Sequence, residues 1–497
     1  MPTLSYWPAP RPRARVAGLA VVSAALAVGS AACADRGPTS PAANAAPRPS
    51  VGSVAVAPDS LDALALHVHF TVADADTARV LYRVGTAPER AGPRVVLAAA
   101  AASATITLFG VQPGSAVSVR VVARRGAAAD TSAPVQASTD STVPDVVRRV
   151  RLQTTAGRPS AGYVLTSVTL GDTAYAVAFD SSGGVAWYRA FPGAGSGNDA
   201  YQQPNGHITM YLGTSHGWEP VPGSFAEVRP DGALVRQWTV PDGYYTDAHE
   251  LRVGAGPDGS TYLFGYNLAP MDFSARGGSA DTAVAGHTVF RIDAGGVTTP
   301  VFAARDHFAV ADWVDPQAGD QDFDHPNSID VAPDGGLIVS WRHFDEVSKI
   351  DPATGRFVWR LGGPHNQFTF VGDPLGGFGG QHDARLLPNG DLLLYDDGTT
   401  HAPQVTRAVE YRIEPSAHTA TLVWEFRHQP ALYTPFVGSV QRLRSGDTFV
   451  GYGWVGLATE VTPAGAVVWE GQLTIDGAPW VAYRLLKIAA LGHYAAP

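Results

Sequence analysis

The sequence predicts an all-β protein: a six-bladed β-propeller preceded by a small β-sandwich. Three observations carry that expectation. With 54 Gly, 38 Pro and only 16% charged residues, the composition favours turn-rich β-structure. A unit of apolar strand, glycine turn and aromatic-ended strand recurs six times beyond residue 150. Ahead of it, short alternating runs follow one another at near-regular spacing. A chain of 497 residues is also too long for one ordinary domain unless that domain is built from repeats.

Taken in order, Arg11, Arg13 and Arg15 precede the apolar run 16–29, which leads through Ser30, Ala31 and Ala32 to Cys33. A basic start, an apolar core and small residues before a cut describe an export signal over residues 1–33. The run is too short to span a membrane comfortably. Cys33 is the single cysteine, and small residues leading straight into it resemble the bacterial lipobox. Cys33 is thus the expected lipidation site, and the expected location is exported and lipid-anchored in the bacterial cell envelope. Residues 34–52, rich in Pro, Ala and Ser, read as a flexible tether.

Residues 53–140 hold about seven short strand patterns, from SVAVAP to PVQAST, and predict the β-sandwich. The run LFGVQPGSAVSVRVVARR resembles the late strands of a fibronectin-III/Ig-like domain, which implies a spacing or docking role. His67 and His69 share one face of a strand and read as a polar face. Residues 140–150 read as a linker or lead-in strand.

The propeller is expected over residues 147–490. Its repeat ends in an aromatic residue at Trp187, Trp238, Phe302, Trp359, Trp424 and Trp469, which predicts a core stripe between blades. Insertions are expected at 267–287 and 303–322. An inner pair of strands precedes five of the six units, as in HPNSIDVAPDGGLIVSW and QHDARLLPNGDLLLYDD. The first unit lacks its inner strand. The segment Trp480–Ile488 is expected to supply it beside residues 163–168, which would remove an open sheet edge.

Innermost strands line a propeller's channel. His249, His325 and His382 stand at or near the start of that strand in three successive units, and Asn198 holds the matching place one unit earlier. Asn327 follows His325 by two, which on a regular strand puts both on one side. Arg342 ends the next strand of the same hairpin. A fixed guanidinium beside imidazoles suits a tetrahedral oxyanion such as sulfate or phosphate. Asp383 neighbours His382 but would point the other way and reads as structural.

The ordered set DAHELR, DHPNSID, SWRHFDEVSKID and GGQHDARLLPNGDLLLYDDG resembles the arylsulfotransferase family of bacterial envelope enzymes. That resemblance implies a six-bladed propeller with a small N-terminal β-domain. It implies sulfuryl transfer from one phenol to another without a nucleotide donor, through a sulfated histidine. It makes His382 the nucleophile, His249 and His325 its partners, Arg342 the sulfuryl-binding arginine, and Asn327 a substrate contact; Asn198, from its matching place in the repeat, is the other expected substrate contact. The expected ligands are a small-molecule aryl sulfate and a phenol, with no cofactor and no metal.

The formal net charge is −10 and no basic run lies beyond the signal, so nucleic acid is not an expected partner. The membrane is met through the lipid anchor only. Two other classes compete. Histidines at a propeller axis could hold a metal, although Arg342 would repel the cation. A surface propeller could bind without catalysing.

Overall fold

In the computed structural model, residues 47–491 are described, apart from 99, 100, 158, 214–220, 277 and 315–321. The signal over 1–33, Cys33 and most of the tether lie outside the described residues. The rest is all-β. Its strands alternate buried and exposed side chains where one face is wet, and are buried on both faces where they line the interior.

The N-terminal strands form two antiparallel sheets over one core. Ser50–Pro58, Leu66–Ala73 and Ala101–Leu108 make the first sheet, and the second is centred on Thr77–Val84 and Ala116–Arg125. Val68, Phe70, Val80, Ile106, Val119 and Val121 are buried between them. The first strand begins at Ser50, slightly ahead of the expected boundary. The Nδ1 atoms of His67 and His69 face Thr107 and Thr105 on the neighbouring strand. This unit is not tethered loosely: Leu64 is buried in a core shared with later strands, and the Ala63 amide donates to the Tyr188 hydroxyl at 3.1 Å.

Residues 140–150, expected as a linker, contain a short helix, Asp145–Arg149. Strand Val150–Gly157 follows and pairs with Val467–Ile475, more than three hundred residues later.

Six sheets come next, here sheets I to VI, antiparallel except that Thr369–Val371 pairs parallel with Thr419–Phe426 in sheet V. They contain, in order, Tyr163–Leu170, Gly197–Gln202, Tyr245–Arg252, Pro326–Val331, His382–Leu386 and Ser439–Arg442. Segment Leu486–Ile488 pairs antiparallel with Tyr163–Leu170, placing Leu165 opposite Leu486 and Tyr163 opposite Ile488. Each sheet shares a buried core with the next, as sheets III and IV do through Phe264, Phe302, Val339 and Trp341. The sixth shares one with the first, through Phe449, Trp469, Val168 and Phe179. The order of contacts is therefore cyclic.

The aromatic ends of the repeat hold this cycle together. Trp187 and Trp469 are fully buried, and Trp238, Phe302 and Trp359 nearly so. Truncating a ring of that size in such a core costs about 3–5 kcal/mol. Trp187 Nε1 donates to the Pro230 carbonyl in the next sheet at 2.7 Å, and Trp424 Nε1 to Pro463 at 3.0 Å. Trp424 corrects the expectation of a uniform core stripe: it is only half-buried, with Arg442 lying over its ring. The segment 267–287, expected as an insertion, largely extends sheet III, because Thr261–Met271 and Thr282–Ile292 pair along their whole length.

Candidate active site

The site lies where the innermost strands of sheets III, IV and V begin or bend. At that point the ladders are irregular. Register shifts fall between Asn198 and Tyr201, Thr246 and Leu251, Pro326 and Ser328, and His382 and Arg385. His325 and Asp383 have positive φ, 43° and 53°. Bulges of this kind re-aim side chains. Here they bring residues together that a regular strand would hold apart.

His249 and His325 meet edge to face with ring centroids 4.7 Å apart, and His325 lies 4.9 Å from His343. His382 is 2% exposed and feels the charges of Arg342, His325 and His249. Arg342 is buried, its amide bonded to the His325 carbonyl and its guanidinium to the Pro435 carbonyl at 3.0 Å. The structure thus brings His249, His325, His382 and Arg342 together.

Each of the three histidines is held at Nδ1 by its own carboxylate. Asp247 takes His249 at 2.8 Å, Asp322 takes His325 at 2.5 Å, and Asp397 takes His382 at 2.7 Å. A carboxylate on Nδ1 fixes the tautomer and leaves the Nε2 side for chemistry. None of these partners was foreseen. Asp247 and Asp397 stand inside the motifs DAHELR and LLLYDDG, but at opposite offsets from their histidines. Asp383 pairs instead with Arg385 and accepts from the Val440 amide, so its structural reading stands.

The two asparagines have other work. Asn198 Nδ2 donates to the Ala248 carbonyl at 3.2 Å and Asn327 Nδ2 to the Gln381 carbonyl at 2.7 Å. Ala248 and Gln381 each immediately precede a site histidine, so both asparagines brace histidine-bearing backbone in the neighbouring sheet. The i, i+2 rule misplaces Asn327 because the register shift at Pro326 intervenes.

The floor comes from the segment before Leu486. Tyr483 lies 5.6 Å from the His249 ring, and its hydroxyl donates to the Asn327 carbonyl. Arg484, 1% exposed at its side chain, binds Asp199 at 2.5 Å and Glu250 at 3.0 Å, and donates to the Asn327 carbonyl. The sequence signal was an arginine inside the run 480–488, which is apolar apart from it and Lys487.

Burial holds His382 well below the ordinary histidine value, reinforced by Arg342 and the neighbouring imidazoles. Burial likewise depresses His325 and His343. All three stay neutral when folded. An unfolded chain takes up protons on them near pH ~6.5, so stability is lost as pH falls below that value. The expected slope is about 1.4 kcal/mol per pH unit for each histidine. Urea unfolding between about pH 7 and 5.5 measures it. A raised histidine such as His287 does not offset this below pH ~6.5, because its contribution is complete there and declines only between that value and its raised one.

Donor atoms of Asp322, His325 and His343 lie within 4.8 Å of one another, as do those of His287, Asp322 and Asp324. A divalent ion holds ligand atoms at about 2.0–2.2 Å, which keeps neighbouring ligands near 3 Å apart. The 2.5 Å His325–Asp322 contact leaves no room for an ion between those atoms, and His287 Nδ1 is in equally direct contact with Asp324. These are hydrogen-bonded pairs.

Curated proteins yield no match. Among solved structures, a Bacteroides caccae protein of unknown function is similar at 13% identity, over 66% of this chain and 98% of that one, with TM-score 0.42. A streptogramin B lyase structure is similar at 11% identity, over 67% and 89%, with TM-score 0.34. Virginiamycin B lyase from Staphylococcus aureus is similar at 10% identity, over 64% and 88%, with TM-score 0.31. The arylsulfotransferase (ASST) family model matches residues 230–474. That span carries His249, His325, Arg342 and His382, and over it the chain is similar to the arylsulfotransferase family.

Proposed function

We propose that the six sheets form a six-bladed propeller, that the N-terminal sandwich is a fibronectin-III-like spacer, and that the site moves a sulfuryl group from an aryl sulfate to a phenol through His382. The observation that supports this most is the convergence of His249, His325 and His382 on Arg342, each histidine held at Nδ1 by its own carboxylate.

The chemistry follows from those contacts. Neutral His382 attacks sulfur with the Nε2 lone pair as the sulfur–oxygen bond to the aryl group breaks. The departing oxygen keeps the bonding electrons and takes a proton from His249 Nε2. Arg342 stabilises the charge on the remaining sulfuryl oxygens, with the neutral His325 ring packed beside it. In the second half, His249 Nε2 removes the acceptor phenol's proton. The phenolate oxygen attacks sulfur, and the nitrogen–sulfur electrons return to His382. Asn198 and Asn327 act as positioning residues through the backbone they brace.

Release of nitrophenol from p-nitrophenyl sulfate is the test. Transfer requires that release depend on added phenol. Equal release without phenol would mean hydrolysis, and no release from any aryl sulfate would favour a binding role.

The reading places the chain in the cell envelope, tethered through Cys33. Metabolic palmitate labelling that vanishes in Cys33→Ser is the expected result. Label that persists in the variant overturns the tether.

A further inference from the structure

His287 has no place in the sequence pattern and no contact with the sulfuryl pocket in the proposed chemistry. It is nonetheless one of the most enclosed ionisable groups in the chain, 1% exposed. It lies on strand Thr282–Ile292 of sheet III, behind the strand that carries His249. Both ring nitrogens face carboxylates. Nε2 is 3.3 Å from Asp247 Oδ2, and Nδ1 is hydrogen-bonded to Asp324 Oδ1. The second Asp324 oxygen accepts the His287 amide at 2.9 Å. Asp247 in turn receives both the Nδ1 and the backbone amide of His249. The continuous chain is therefore Asp324, His287, Asp247, His249.

We infer that His287 is a positioning residue: a doubly protonated imidazolium clamped between Asp324 and Asp247, which aligns Asp247 and so holds His249 in the tautomer that turns Nε2 toward the pocket. This rests on the proposed role of His249.

The physical case has three parts. An imidazole with a carboxylate at each nitrogen satisfies both only as a double donor. Two fully buried carboxylates without a cation between them would be very costly, whereas one imidazolium serves both. The surroundings agree in sign. Burial alone would lower His287, but Asp324 and Asp247 outweigh it and raise it well above the ordinary value. Asp247 is held well below the usual carboxylate range by His249 and His287 in spite of its burial. The other groups facing the bridge are Asp322, the Tyr266 ring at 5.5 Å and, on the Asp324 side, Arg305.

A hydrogen-bonded carboxylate of this kind supports catalysis by orienting the imidazole. Loss of alignment therefore shows in kcat rather than in KM.

Imidazole nitrogen NMR on histidine-labelled protein tests this without turnover. In the unsubstituted chain His287 should still carry protons on both nitrogens well above the pH at which an ordinary histidine loses one. His249, when neutral, should be a single Nδ1–H tautomer. In His287→Leu the His249 tautomer should become mixed. In His287→Gln, whose amide can still donate to Asp247, it should remain largely single. In the transfer assay the Leu variant should lose about 10²-fold in kcat with little change in KM, and Gln should restore much of it. A singly protonated His287 in the unsubstituted chain overturns the inference, even where the Leu variant fails to fold. So does an unchanged His249 tautomer in a folded Leu variant. If the NMR pattern holds but no aryl sulfate reacts, the proposed reaction fails and the bridge stands.

Discussion

His382→Ala should abolish phenol-dependent nitrophenol release, with a fall of at least ~10⁴-fold, because removing a nucleophile leaves only the rate that binding and electrostatics support. Intact mass after exposure to donor alone should show one added sulfuryl group on the unsubstituted chain and none on the variant. Asp397→Asn is the informative companion. The Asp397 carboxylate holds His382 Nδ1 at 2.7 Å, and an amide there can present a donor and turn the ring to the wrong tautomer. Its rate should fall by about 10²–10⁴-fold while the fold survives. A His382→Ala protein that still transfers sulfuryl, or still gains mass, would place the nucleophile elsewhere.

The second large effect is on stability. Arg484→Met should destabilise the chain by about 3–5 kcal/mol, because it strands buried Asp199 without its cation and leaves Glu250 only Arg385. The arginine's partners lie on sheets II, III and V. Arg385 also contacts Glu250 and Asp383, and Asp383 lies 3.6 Å from Arg484. The loss should appear as a lower urea midpoint with an unchanged slope. Because Arg484 also donates to the Asn327 carbonyl, transfer should fall in the same variant. A change in midpoint worth less than about 1 kcal/mol would show that solvent or Arg385 replaces the missing charge.

The repeats made much of the site legible. His249, His325 and His382 could be placed in register because each precedes or opens an inner hairpin, and Arg342 because it ends the partner strand. What stayed hidden was the set of carboxylates. Asp247 lies two residues before its histidine, Asp322 three before, and Asp397 on the following strand, so no single spacing marks them. The bulges were equally silent. No glycine signals the positive φ at His325 or Asp383, and a period of two therefore misdirected Asn327. His287 lay on a middle strand, where a buried polar residue has no periodic signature. The short Asp145–Arg149 helix and the outer strand Val150–Gly157 were hidden for a different reason: their partner, Val467–Ile475, is at the far end of the chain.

That long-range pairing has a consequence for how the protein comes into being. Val150–Gly157 waits on Val467–Ile475, and Tyr163–Leu170 waits on Leu486–Ile488. Tyr483 and Arg484, just before that last strand, floor the site and cross-link its axis. During synthesis, five sheets can form before either partner exists, but the reacting groups have no floor until the final stretch arrives. The complete site therefore exists only after nearly all of the chain has been made.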